Sequence, residues 1–229
     1  MRDDICTIPV TEIFEENDGC PICRMYAEVD NKITEYILGD ALMEPDVRIE
    51  TNRLGFCADH YESMYLRRGR LGFALMLETH LKSLNDSVFT KNILVSNSKK
   101  ASKAKKVSES CFICEKVEWG ISRMIDTIYR TYETEKDFRD MFNSQPMFCM
   151  PHYERLISGI DKKFMKRYGG ELADNLTRIT SNYAKSLSED VTKYCASYNY
   201  CRTDGKVDFG SSIDSVQRSI AFLSGRNVE

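Results

Sequence analysis

The feature that most constrains this chain is a repeated cysteine and histidine pattern. Cys20-Pro-Ile-Cys23 is followed by Gly55-Phe-Cys57-Ala-Asp-His60-Tyr-Glu, and Cys111-Phe-Ile-Cys114 by Met147-Phe-Cys149-Met-Pro-His152-Tyr-Glu, so that both copies read CxIC…FCxxHYE. Cys23 and Cys57 are 34 positions apart, and Cys114 and Cys149 are 35 apart. A separation kept this closely marks an internal duplication with one insertion. The pattern also absorbs six of the nine cysteines and two of the three histidines, leaving Cys6, Cys195, Cys201 and His80 outside it. Each copy carries three thiols and one imidazole, the Cys₃His set that zinc takes in closed tetrahedral sites. The expected cofactor is therefore Zn²⁺, two per chain, on Cys20, Cys23, Cys57, His60, Cys111, Cys114, Cys149 and His152. The alternatives are cysteines that pack as small hydrophobes and an iron–sulfur cluster, which usually takes four cysteines. Matched spacing favours each set closing within its own copy, although an exchange of ligands between copies stays open.

Composition decides how such a chain folds and where it works. With 229 residues, 42% of them hydrophobic, it can bury a core without disulfides. An odd number of cysteines, clustered in sequence, argues for metal binding over a disulfide framework. The chain has no apolar run long enough for a signal peptide or a membrane span, and the expectation is a cytoplasmic protein with no membrane partner. A net charge of −3, from 32 basic and 35 acidic residues, gives no global field toward nucleic acid.

The periodicity is helical throughout. Tyr26, Val29, Ile33, Ile37 and Leu42 follow the first CxxC, and Val117, Ile121, Met124, Ile125, Ile128 and Tyr132 follow the second, so each CxxC opens a helix. Each CxxH opens another, and Pro151 suits a first helical turn. Free N–H groups at those helix starts would favour thiolate, and Arg24 and Lys116 are candidates to offset the negative charge of a Cys₃His site. Leu172, Leu176, Ile179, Tyr183, Leu187, Val191 and Tyr194 mark one long amphipathic helix of about eight turns, and Leu71 to Leu84 corresponds to its beginning in the first copy. A polar stretch from Asn199 to Ser212 interrupts the pattern, and Ile213, Val216, Ile220 and Leu223 mark a short terminal helix. Ile8, Pro9, Val10, Ile13 and Phe14 form a lead-in expected to pack on the first repeat. The fold class is all-α: two tandem helical zinc-binding repeats, at residues 1–95 and 111–229, joined by a basic Ser/Lys linker at 96–110, with a long helix and a short C-terminal helix at the end.

The residues IPV…CPICR…FCxxHY…CxIC…FCxPHYExL, with Ser219-Ile-Ala-Phe-Leu-Ser-Gly225 as a weaker match, resemble an uncharacterised bacterial family of proteins with duplicated CxxC and CxxH motifs. The resemblance runs from Ile8 to about Gly225. It implies a helical cytosolic protein and supplies no reaction. Some members carry a transporter substrate-binding label, to which this chain lends no support.

The function expected is a structural zinc protein acting as an interaction module, with a protein as partner. A second reading is a thiol-based redox or metal sensor, in which Cys6, Cys195 and Cys201 could take part. A third is nucleic-acid binding through the linker lysines Lys99, Lys100, Lys103, Lys105 and Lys106, which is not favoured because the run has no aromatic residues. No enzyme is expected: His80 lies on a helix with no nucleophile or phosphate loop beside it.

Overall fold

The computed structural model describes residues 7–89, 96–160, 165–198 and 210–226. Among them are helices and no strand: α1 (Thr7–Glu15), α2 (Pro21–Leu38), α3 (Pro45–Leu54), α4 (Ala58–Leu66), α5 (Arg70–Ser87), α6 (Asn97–Ser108), α7 (Phe112–Thr134), α8 (Lys136–Asn143), α9 (Met150–Ile160), α10 (Gly169–Ser197) and α11 (Ser215–Ser224), with 3-10 turns at Asp40–Met43 and Gly210–Ser212. The all-α expectation holds. Each CxxC and each CxxH stands at a helix start, and the long periodic run is α10, 29 residues.

The chain divides into two compact units, Met1–Tyr26 with Ser122–Glu229, and Ala27–Ile121. Their boundaries fall inside α2 and α7, whereas the division read from sequence placed its boundaries at 95 and 110.

In the Ala27–Ile121 unit, α3 lies along α5. Phe73 and Met76 are buried there, and His80 donates from Nδ1 to the Asn52 carbonyl at 3.0 Å. This buried contact accounts for His80 as a packing residue. Helix α3 ends at Gly55, whose φ of 63° is one that side chains rarely adopt. Its carbonyl then accepts from the Phe112 backbone N–H at 3.0 Å, which joins the strand-like entry to α4 to the start of α7. The stretch expected as a linker is helix α6, capped by the Ser96 hydroxyl accepting from Lys99 N–H, with no buried residue. Alanine and lysine favour helix without needing an apolar face, so the segment lacks the periodicity by which the other helices are read.

In the other unit, Val10, Ile13 and Phe14 of α1 are buried. Phe14 packs on Phe138 and Phe142 of α8 at ring separations of 5.2 and 5.6 Å, and Gln145 donates to the Phe14 carbonyl at 2.7 Å. The lead-in thus packs on residues of the second copy, not the first, because α8 offers the aromatic pair that its own apolar side needs. Helix α10 packs against α9 and α11 through Leu172, Leu176, Ile179 and Leu187. Helix α11 forms as expected, but Ile213, Val216, Ile220 and Leu223, which mark it in sequence, are exposed. Its buried side carries Ser215 and Phe222, where a small residue lets the helix approach α10 and Phe222 meets Tyr183 at 5.5 Å.

Candidate metal centres

The eight expected ligands come together as two groups of four, and the grouping crosses the repeats. Cys20 and Cys23 stand with Cys149 and His152, and Cys57 and His60 with Cys111 and Cys114. The ligand atoms of each group lie within 4.8 Å of one another. Closure within each copy, favoured by the matched spacing, is replaced by exchange: the CxxC of one copy meets the CxxH of the other.

The reason lies in helix lengths. From Cys23 the chain climbs α2 to Leu38, about 22 Å, but returns on α3, only 10 residues or about 15 Å. The return falls short, and His60 meets α2 at Asp30, two turns beyond Cys23, with Nε2 donating to Oδ2 at 2.6 Å. In the second copy, α7 has 23 residues and α8 only 8. Arg155, three residues past His152, accordingly donates to the Ser122 hydroxyl at 3.0 Å, two turns beyond Cys114.

Both groups are built alike from two helix N-termini. In the first, Cys20 precedes α2 and Cys149 precedes α9, while Cys23 and His152 occupy the first turns. In the second, Cys57 is the N-cap of α4 and Cys111 precedes α7, with His60 and Cys114 one turn in. A spacing of three puts both side chains of each pair on one face, and the unpaired N–H groups of the first turn converge on the sulfurs. The Cys114 N–H donates to the Cys111 sulfur at 3.5 Å.

The distances suit a tetrahedral ion. Around zinc, edges of about 3.8 Å between sulfurs and about 3.6 Å from sulfur to nitrogen follow from the usual bond lengths. In the first group the Cys23 and Cys149 sulfurs are 3.6 Å apart, and Nδ1 of His152 lies 3.5, 3.3 and 3.1 Å from Cys20, Cys23 and Cys149. In the second, Cys57 and Cys114 are 3.8 Å apart, and Nδ1 of His60 lies 3.0, 3.3 and 3.4 Å from Cys57, Cys111 and Cys114. Both histidines present Nδ1 to the sulfurs.

Within each group the side chains set one another's protonation. Burial works against charge at Cys111, but hydrogen bonds from His60 and from backbone N–H groups prevail and bring its thiol down to about 6. The same contact, with the Asp30 carboxylate, lifts His60 to about 10. Burial and the neighbouring Cys111 push Cys114 upward. In the first group, Cys20 is buried yet falls well below an ordinary thiol through hydrogen bonds from Cys149, Cys23 and His152. Cys149 is pushed up to about 12 by its contact with Cys20, and Cys23 also rises, through contacts with Cys149 and Cys20. Each group thus sustains one thiolate readily, and a divalent ion is what would let all three sulfurs lose their protons.

The surroundings differ. His152 stacks on Tyr26 with ring centres 5.2 Å apart, and the Arg155 guanidinium donates to the Tyr26 hydroxyl. Gly225, the left-handed residue ending α11, lies against the first group: Cys23 Sγ donates to its carbonyl at 3.7 Å, and a Cβ there would stand 3.4 Å from the Cys149 sulfur. In the second group Cys114 is exposed, whereas the first holds Cys20 and Cys149 buried and Cys23 half-buried. Arg24 does not serve the sulfurs as anticipated. It donates to the carbonyls of Ile13 and Glu16 at 2.7 and 2.9 Å and pairs with Asp18, fastening the end of α1. Lys116 lies over the Phe112 ring at 5.4 Å. Asp30, Tyr26 and Gly225 were not anticipated as site residues; only Gly225, at the end of the Ser219–Gly225 match, carried any sequence signal. Cys195 is exposed on α10 away from both groups, and Cys6 and Cys201 lie outside the described residues.

Two Cys₃His groups on an all-helical chain define a protein with two candidate metal centres. The chain belongs to DUF6062, a family of unknown function, whose pattern it matches over residues 1–229. Neither the comparison with curated proteins nor that with solved structures finds a match. Among the described residues, no helix is long and apolar enough to cross a membrane.

Proposed function

We propose that both groups hold structural zinc, two ions per chain, and that the protein is an interaction module for a protein partner, not an enzyme. The observation that carries the reading is that each group already supplies four ligand atoms within 4.8 Å of one another. Four protein ligands complete a tetrahedron and leave no position for a substrate or an activated water. Three thiolates and a neutral imidazole favour zinc over hard cations, and the four helix starts that converge on the sulfurs offset the residual negative charge. Each ion would tie segments distant in sequence, so metal binding contributes to folding. The test is elemental analysis of protein purified without added metal. Two zinc ions in the parent and one in each of Cys23→Ser and Cys114→Ser support the reading; no zinc, or iron in its place, sinks it.

The exposure of Cys114 favours a second reading for the second centre alone, as a thiol sensor that releases zinc on oxidation. Release of one ion under mild peroxide, reversed by a thiol reductant, is the result it requires. Retention of both ions ends it.

A further inference from the structure

Helix α11 turns toward solvent the kind of stripe that helices ordinarily bury. Ile213, Val216, Ile220 and Leu223 are 63%, 41%, 41% and 65% exposed, and steps of three, four and three residues align them along one side of the helix. The opposite side is the one that docks: Ser215 and Phe222 are buried, and Phe222 meets Tyr183 of α10 at 5.5 Å. The apolar stripe is therefore not what holds α11 in place. Charge is missing from it as well. In the whole chain 29% of residues are charged, yet the stripe and its exposed neighbours Gln217 and Ser224 carry none. The charged residues between Ile213 and Ser224 are Asp214 and Arg218, which pair with each other at 2.8 Å, while Arg218 also reaches Asp190 of α10 at 3.0 Å. At its end the helix is tied to the first centre, where the Gly225 carbonyl accepts from Cys23 Sγ at 3.7 Å. The stripe thus stands on a fixed element, which lowers the ordering cost of covering it.

The pattern selects the occupant. A helix that lies on a lipid surface carries Lys and Arg beside its apolar side, and here the neighbours are Gln217 and Ser224. A two-fold contact requires a patch that is its own complement, and a spacing of three, four and three reads the same from either end. When two such helices lie antiparallel, Val216 of one copy faces Ile220 of the other, and Ile213 faces Leu223. Every step is then apolar against apolar, as in a helix-pair seam, and no like charges are brought together.

We propose that α11 is the surface through which two copies of this chain associate, antiparallel, along Ile213, Val216, Ile220 and Leu223. The inference rests on the interaction-module reading and names its surface and its partner, and it does not require zinc. A helix of 10 residues offers a seam of about 15 Å, which places the contact in the small, reversible class.

The test is sedimentation equilibrium of the full chain from about 5 to about 500 μM, the range that a small interface calls for, with zinc content and helical circular dichroism read on the same samples. The average mass should climb toward twice that of one chain. Val216→Lys and Ile220→Glu should each weaken association at least about tenfold with the circular dichroism unchanged. Mixed in equal amounts, the two variants should regain it, because antiparallel pairing sets the introduced ammonium opposite the introduced carboxylate and leaves the other Val216 to Ile220 contact native. A parent that stays monomeric throughout, including one that instead binds phosphatidylcholine vesicles, overturns the proposal. So does association undiminished in both variants, or a mixture that associates no better than either variant alone. A monomer holding two zinc ions per chain defeats this proposal and leaves the metal reading standing, whereas a dimer without zinc does the reverse.

Discussion

Asp30 fixes the orientation of His60 by accepting from Nε2 at 2.6 Å, and it thereby turns Nδ1 toward the three sulfurs of the second centre. A carboxylate in this position also raises the basicity of the coordinating nitrogen. Asp30→Ala should weaken metal binding at the second centre about 10- to 100-fold and leave the first unchanged, as read by competition with a chromophoric chelator. Equal loss at both centres, or at neither, would contradict this role. Thiol protonation sets a pH dependence common to both centres. Cys114 and Cys149 are held above an ordinary thiol and His60 is raised to about 10, so a metal ion must displace protons from them. Affinity should therefore rise with pH and fall on acidification, and the same chelator competition run across neutral pH measures it. The two Cys and His groups are legible in sequence as candidates because cysteine and histidine are scarce and the motif uses most of them. Asp30 is not, since one aspartate on an acidic helix has no signature until His60 is placed beside it.

Helices α9, α10 and α11 are held by contacts that single changes can break. Tyr129 donates to the Leu156 carbonyl at 2.8 Å, and its ring and hydroxyl occupy the space above Gly159, where a Cβ would collide with them. Alanine is favoured over glycine in a helix by about 1 kcal/mol. Displacing a buried ring and leaving its hydroxyl unpaired costs about 2 to 4 kcal/mol, so Gly159→Ala should destabilise the chain by about 2 kcal/mol, read as a lower urea midpoint. Along α10, Asp190 accepts from Arg218 of α11 at 3.0 Å and lies near Lys193 at 3.4 Å. The Arg218 bond is the main reason its carboxyl sits below the ordinary value. A carboxyl depressed by folding stabilises the native state above its unfolded pKa and loses that contribution as pH falls through the folded one. Asp190→Asn should therefore lower stability at neutral pH and make it less sensitive to acid below about pH 4. An acid limb identical to the parent's would show that the pair contributes nothing. Both α10 and α11 were legible as helices. The orientation of α11 was not, because its exposed side is more apolar than the Ser215 side by which it docks.

At the scale of the whole chain, the crossing of the ligand sets is what sequence spacing could not settle, since separations of 34 and 35 residues are compatible with either pairing. Closing a set over 126 positions, as between Cys23 and Cys149, costs only about 1 kcal/mol more in chain entropy than closing it over 34. Helix length outweighs so small a preference: α3 and α8 are shorter than the α2 and α7 that precede them, so neither CxxH regains its own CxxC. The two pairings make opposite predictions for a double variant. Cys23→Ser with His152→Ala removes two ligands from different copies but from one centre, so elemental analysis should find one ion per chain, the same as for Cys23→Ser alone. Cys23→Ser with His60→Ala takes one ligand from each centre and should lose both ions. If the copies closed separately, the outcomes would reverse, the first pair losing both ions and the second only one. An ion in each centre would join segments from both copies, so the pair that empties both centres should also lower the thermal midpoint further than the pair that empties one.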